Sequence, residues 1–430
     1  MSKITKIDAR EILDSRGNPT LEVDTIIEEK FLGRFSVPSG ASTGKYEALE
    51  KRDNNPEHFA GKGVKKVFEK IEQGISPDIF QKDFNQNSLD NFLIEKDGTT
   101  NKSNFGANSI LGISMSFAKA EALKKDISLY AHIASLFGNN RPTLPIPMVN
   151  IINGGVHADS GLDIQEFMIV PFAPPSGTQK LTFSQTLESC DEVFMHLKNI
   201  LKENNLDTNV GDEGGFVLHQ TAQDFAPELG SHQKALDFIM QAIKKAGFEP
   251  GVDFGIALDC ASSEFFKDGK YVLSSENKEM SSKELGDYYA DLMKDYPIIS
   301  IEDPFDEDDW EASVSFTQKF GDDIMIVGDD LFVTNMKRLE EGINKKAANA
   351  ILVKLNQVGT LSETLDVIGK AKEAGFKTII SHRSGETEDT SIAHLAVGVG
   401  SAYIKTGSVS RGERTAKYNE LLRIEEELDN

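Results

Sequence analysis

The chain has almost no cysteine: two thiols, Cys190 and Cys260, in 430 residues. That excludes the dense cross-linking of small secreted domains and predicts a reducing, cytoplasmic setting. Cys260 directly follows Asp259, where a small buried strand-end thiol is the better reading than a nucleophile. Positive charge is also scarce, with 46 Lys and Arg against 69 Asp and Glu and a net charge of −23. Nucleic acid and anionic membrane surfaces need a basic footprint, so neither is expected as a partner. No uncharged apolar stretch approaches the ~20 residues that span a bilayer. The opening MSKITKIDAREIL lacks the apolar centre of a signal peptide, and internal repeats and low-complexity tracts are missing too. What remains, 39% hydrophobic and 27% charged residues, is the composition of a soluble globular protein, too long for one ordinary core.

The texture changes at Gly138–Pro147, where GNNRPTLPIP is a connector no helix can cross. Residues 1–138 place the strand-like LEVDTIIEE and FLGRFSV before the helical SILGISMSFAKAEALKK, which predicts a smaller α+β domain. Residues 139–430 behave differently. Six short apolar runs end in ionisable side chains: FGIALD at Asp259, IISIED at Glu302 and Asp303, IMIVGDD at Asp329 and Asp330, AILVK at Lys354, TIISHR at His382 and Arg383, and AYIK at Lys405. After the first, the endings recur about every 25 residues, the length of one βα unit in a (β/α)₈ barrel. Between two of them Thr360 and Glu363 fit a capping box, Leu361, Leu365 and Ile368 share a face, and Gly375 marks the stop. Any one charge could simply end a strand in solvent; six in register indicate a barrel mouth. Carboxylates then offer oxygen ligands to a hard cation, opposite amines able to move a proton.

Denser motifs stand around this series. PSGASTGKYEA, from Pro38, is a Gly/Ser loop that lacks the P-loop pattern and is expected to be a mobile surface loop or a lid. NGGVHADSGLDIQEFMIVP sets His157, Gln165 and Glu166 around a strand, and GDEGG places Glu213 between glycines. Together DSRGNPT, PSGASTG, NGG.HA...QEFM, VGDEGGF, IEDP, GDDL.VTN, K.NQ.GT, SHRSGETEDT and IKTGS..RGER.AKYN.LLRIEEEL resemble the enolase family, in family order along nearly the whole chain. The resemblance implies a C-terminal (β/α)₈-type barrel with an irregular ββαα start, and activity as the glycolytic lyase that interconverts 2-phosphoglycerate and phosphoenolpyruvate. It makes Asp259, Glu302 and Asp329 the ligands of one Mg²⁺ and Ser42 a ligand of a second, two ions per site. Lys354 is then the base at C2, and Glu213, with Glu166 beside it, the acid at the C3 hydroxyl. Arg383 and Ser384 match the phosphate contacts, Lys405 the substrate carboxylate contact, and His157, Gln165 and His382 further active-site positions. A homodimer or higher homo-oligomer is expected. Departures fall at Val156, Val217-Leu218-His219 and His394, none in a named role.

The chemistry calls for such a set. Removing a proton next to a carboxylate doubles the charge on an anionic group, which divalent cations in a dry site counter. A lysine base must also lose its own proton from a free pKa of ~10.4, and Lys405 and the metal charges would push Lys354 down. The departing hydroxide needs a donor on the other side, a glutamate kept neutral by its negative surroundings. Rival readings are another lyase or racemase of the same superfamily, or an idle scaffold that binds partners.

Overall fold

A computed structural model describes residues 1–40, 44–158, 160–172, 181–218 and 231–429. Strand β1 (Ser2–Leu13) pairs antiparallel with β2 (Pro19–Ile27), which pairs with β3 (Phe31–Ser36). The two-residue β4 (Asp83–Phe84) joins the other edge of β1. The DSRGNP segment turns because the Asp14 carboxylate accepts the N–H groups of Arg16 at 2.9 Å and Asn18 at 2.8 Å, around Gly17 at φ +74°. Leu21 and Val23 of β2 face the core, where the helix Ala107–Lys124 covers the sheet. Its Ala, Ser and Gly residues permit a close approach: at Gly33 a Cβ would stand 1.9 Å from the carbonyl oxygen of Ser116.

The larger part is a closed eight-stranded barrel with its helices outside. Its strands are β5 (Ile146–Asn153), β6 (Glu166–Pro171), β8 (Phe254–Asp259), β12 (Ile298–Glu302), β13 (Met325–Gly328), β14 (Ala350–Val353), β15 (Lys377–Ser381) and β16 (Tyr403–Lys405). A short β7 (Phe216–Val217) flanks β5, and β9 (Phe266–Lys267), β10 (Lys270–Leu273) and β11 (Lys278–Met280) form a separate small sheet. Pairing of β16 with β5 closes the ring. β6 alone runs antiparallel to both neighbours, and the helices Phe183–Glu203 and His232–Lys245 both follow it before β8. The order is therefore ββαα followed by βα units, the irregular start the resemblance implies. Met148, Met168, Val170, Ala257, Val327, Ala350, Leu352 and Ile379 fill the barrel interior as a plug separate from the main core.

Local signals act where the sequence puts them. Thr360 caps the helix Leu361–Glu373 by accepting the Glu363 N–H at 3.1 Å, and Gly375 lies just beyond at φ +79°. The box is only half built, because the Glu363 carboxylate takes the Thr360 hydroxyl at 2.7 Å and the Lys102 ammonium at 2.9 Å instead of the capping N–H. The Gly138–Pro147 connector does not stay irregular to its end, since Ile146 and Pro147 already belong to β5. Among the described residues no helix is long and apolar enough to cross a membrane.

Candidate active site

The period of two along a strand explains how the barrel builds its mouth. Two residues on from a plug residue comes a functional one: Met148 precedes Asn150, Ala257 precedes Asp259, Val327 precedes Asp329, and Leu352 precedes Lys354. Likewise Ile379 precedes Ser381, and Tyr403, packed against the plug, precedes Lys405. β12 breaks the count, yet a register shift between Ile298 and Ser300 restores Glu302 to the same side. β6 runs backward, so its first residue, Glu166, pairs with the last of β8, Asp259. That reversal brings a residue from a strand's beginning into a ring of strand endings.

The mouth is a small cavity with a mostly polar lining. His157, Gln165, Glu166, Glu213, Asp259, Asp329, Lys354, His382, Arg383, Ser384 and Lys405 line it. Glu302, 1% exposed, lies just beneath, holding the Lys405 ammonium at 2.9 Å. Every expected site residue is thus brought together except Ser42, which lies outside the described residues. The N-terminal domain closes one side: Ser39 bridges to Gly385, and the Asn356 amide donates to the Pro38 carbonyl at 3.2 Å.

Buried charges are paired internally. Lys405 donates to Asp259 at 2.7 Å, to Glu302, and reaches Glu166 at 3.2 Å. Burial works against its proton, but these carboxylates hold its pKa well above the usual lysine range. Lys354 bonds Asp329. Burial pushes Lys354 down, as do Arg383 and Lys405, but Asp329 overrides them and raises it. Glu302 is pushed well above its usual range by burial and by the Asp259 charge, Asp303 by burial and Asp330, and Asp330 up to about 8 by burial and Asp329.

On the opposite side, His157 Nδ1 stands 3.3 Å from Glu213 and 3.9 Å from Glu166, and His382 Nε2 stands 3.4 Å from Glu213. The two carboxyls differ. Burial and the Glu213 charge drive Glu166 well above the ordinary range, while the two histidines outweigh the burial of Glu213 and hold it well below. The raised carboxyl of the pair is thus Glu166 and the lowered one Glu213. His382 itself is pushed far down by burial, with Arg414, Lys405 and Lys354 adding to it.

The donor set suits a hard divalent cation. Oxygens of Glu302, Asp303 and Asp329 lie within 4.8 Å of one another, all three residues buried, and Asp259 is joined to them through Lys405. Asp303 was not anticipated as a site residue. Its oxygens accept the backbone N–H groups of Asp329 at 3.0 Å and Asp330 at 2.7 Å, whereas Asp259, Glu302 and Asp329 each hold an ammonium. Gln165 Oε1 and Glu166 Oε2 are buried without a hydrogen-bond partner, an arrangement that calls for a polar ligand. Glu47 was missed too. It grips Arg383 with both oxygens at 3.1 and 3.2 Å, although only its closeness to the Gly/Ser loop hinted at a role. The departures stay outside: Val156 is exposed, His394 pairs with Glu420 at 3.0 Å, and His219 lies outside the described residues.

Residues 4–133 match the family model for the enolase N-terminal domain, and residues 141–430 match that for the enolase C-terminal TIM barrel domain. With both family models placed in order over a barrel whose mouth gathers these lysines, histidines and carboxylates, the chain belongs to the enolase family and is a lyase of the enolase superfamily.

Proposed function

We propose that the chain is a phosphopyruvate hydratase that reversibly dehydrates 2-phosphoglycerate to phosphoenolpyruvate and water, using two Mg²⁺ ions. The observation that carries this reading is the placement of a buried lysine and a buried glutamate pair across one cavity. Lys354 follows β14, and Glu166 opens β6, four strands away on either path around the eight-stranded ring. A base and an acid so separated suit removal of a proton from one face of a small substrate and loss of hydroxide from the other.

Asp259, Glu302 and Asp329 would hold one ion, and Ser42 would help to hold the second. Magnesium supplies positive charge to the substrate carboxylate oxygens, making the C2 proton removable. Lys354 takes that proton. With Asp329 engaged by a cation, burial and the charges of Arg383 and Lys405 favour its neutral form. Glu166 and Glu213 share one proton as a unit, His157 standing between them, and Glu213 passes it to the departing hydroxyl. Arg383 and Ser384 bind the phosphate, Lys405 the carboxylate, and Gln165, His157 and His382 orient the remaining polar groups. A cytoplasmic homodimer or higher homo-oligomer accompanies this reading.

The test is direct: absorbance of the enol phosphate should rise when 2-phosphoglycerate and Mg²⁺ are added, and stop with excess chelator. No product at saturating metal and substrate would refute the substrate assignment.

A further inference from the structure

The RGER.AKYN motif supplies no group that touches the cavity, yet it carries two fully buried cations, Arg414 and Lys417. Lys417 is accounted for by Glu386 at 2.8 Å and by carbonyls of its surroundings. Arg414 is spent differently. Its guanidinium donates to the Arg383 carbonyl at 2.7 Å, the Ser384 carbonyl at 2.8 Å, the Asp212 carbonyl at 3.0 Å and His382 Nδ1 at 2.6 Å. The Glu413 carboxylate, 3.3 Å from Nε, balances its charge.

The loop that carries Glu213 hangs from the same segment. Four successive carbonyls are held by it: Gly211 by Arg411 at 3.2 Å, Asp212 by Arg414, Glu213 by the Ser408 N–H at 2.8 Å, and Gly214 by the Ser410 hydroxyl at 2.6 Å. The approach is too close for side chains. A Cβ at Gly407 would lie 2.7 Å from the Glu213 carbonyl, and one at Gly214, at φ +87°, 2.7 Å from Ser410.

We propose that residues 407–414 form the positioning element for the hydroxide-loss side of the site: they fix the backbone of Glu213 and, through Arg414, lock His382 as the neutral Nε2–H tautomer. The reason lies in donor inventory. A guanidinium only donates, so Nδ1 facing it must present a lone pair, and the ring proton must sit on Nε2. A second proton at Nδ1 would set N–H against N–H beside a fixed positive charge. The other charged groups facing this ring leave the argument intact, since Lys405 and Lys354 oppose protonation and Glu213 alone favours it. Nε2–H then lies 3.4 Å from Glu213 Oε1, off the line of a hydrogen bond. It is ready to orient the carboxyl that serves the leaving oxygen. Arg414 is on this account a positioning residue. Its catalytic consequence rests on the role proposed for Glu213; the tautomer does not.

The experiment is long-range ¹H–¹⁵N NMR of the imidazole rings in the whole protein from pH 5.5 to 8.5, His382 being identified by its loss in His382→Gln. The expected spectrum has Nδ1 bare and Nε2 protonated throughout. A protonated Nδ1, or titration near the free value of ~6.5, overturns the proposal without need of a variant. In Arg414→Met the ring should begin to titrate, and kcat should fall about 10- to 100-fold with KM nearly unchanged. Arg414→Lys, whose ammonium also only donates, should recover part of both. An unchanged kcat in Arg414→Met would refute the positioning role. A normal His382 spectrum in a protein inert towards 2-phosphoglycerate would instead refute the substrate assignment and leave the tautomer standing.

Discussion

Metal uptake should release protons, and the number follows from the charges beneath the cavity. Asp259, Glu302 and Asp329 face two ammonium groups, those of Lys405 and Lys354. Fully ionised, the cluster would carry one uncompensated negative charge in a buried site. Burial and the Asp259 charge raise Glu302 well above the usual carboxylate range and so favour a proton there. A divalent cation ligated by Glu302 must displace that proton, because a metal ligand has to be ionised. We expect proton release on binding the first Mg²⁺, up to one from Glu302, and an apparent affinity that tightens as pH rises. The sign is set by the raised carboxyl: protons compete at low pH and cease to compete as pH rises. Titration calorimetry in two buffers of different ionisation enthalpy reads the count directly. Glu302→Gln should abolish the buffer dependence along with most of the affinity. Identical heats in both buffers, with affinity independent of pH, would refute the account of a stored proton.

Three further outcomes are expected. Lys354→Ala should stop exchange of the C2 proton of 2-phosphoglycerate with deuterated solvent, whereas Glu213→Gln should keep exchange and lose dehydration; NMR showing the reverse would exchange base and acid. Asp24, bonded by Arg10 and Arg34, is held down at about 2 from 3.8 because the two guanidinium groups outweigh its burial. A depressed carboxyl stabilises above its ordinary value and loses the effect as pH falls through its folded one, so Asp24→Asn should cost about 1–2 kcal/mol at pH 7, after allowance for the exposed arginines, and the gap to wild type should close between pH ~4 and ~2 in denaturant melts. Gly33→Ala drives a methyl into the Ser116 carbonyl and should cost about 1–3 kcal/mol, seen as a lowered Tm; an unchanged Tm would mean that the helix slides freely on its sheet.

The barrel was legible because its inward residues alternate. Leu352 and Lys354, or Val327 and Asp329, belong to one face of a strand, and the eye finds a charge where the apolar series should continue. β6 gave no such view. EFMIVP is buried throughout, so it shows no alternation, and nothing in an apolar run tells its direction; that Glu166 enters the site from a strand's beginning depends on the reversal. The β9–β10 hairpin could have been found, since Asp268 at φ 49° and Gly269 at φ +79° form the Asp-Gly turn that joins such strands. Arg414 offered no local sign. A charge inside a polar helix, Gly412–Asp429, reads as solvated until the tertiary fold shows it fully buried.

Residue types also did not disclose how the site is neutralised before a ligand arrives. Each cation expected to meet substrate is already held by a carboxylate of the chain: Lys354 by Asp329, Lys405 by Asp259 and Glu302, Arg383 by Glu47. A buried charge left alone costs several kcal/mol, and these pairs offset that cost within the chain. They also impose an order on binding. On the proposed reading, a phosphate at Arg383 competes with Glu47, which accepts the Gly44 N–H at 3.1 Å and so ties that exchange to the Gly/Ser loop. On the same reading, Lys354 gives up its proton when Asp329 turns to a cation, and the affinity for substrate is the difference between two sets of ion pairs, one internal and one shared with the ligand.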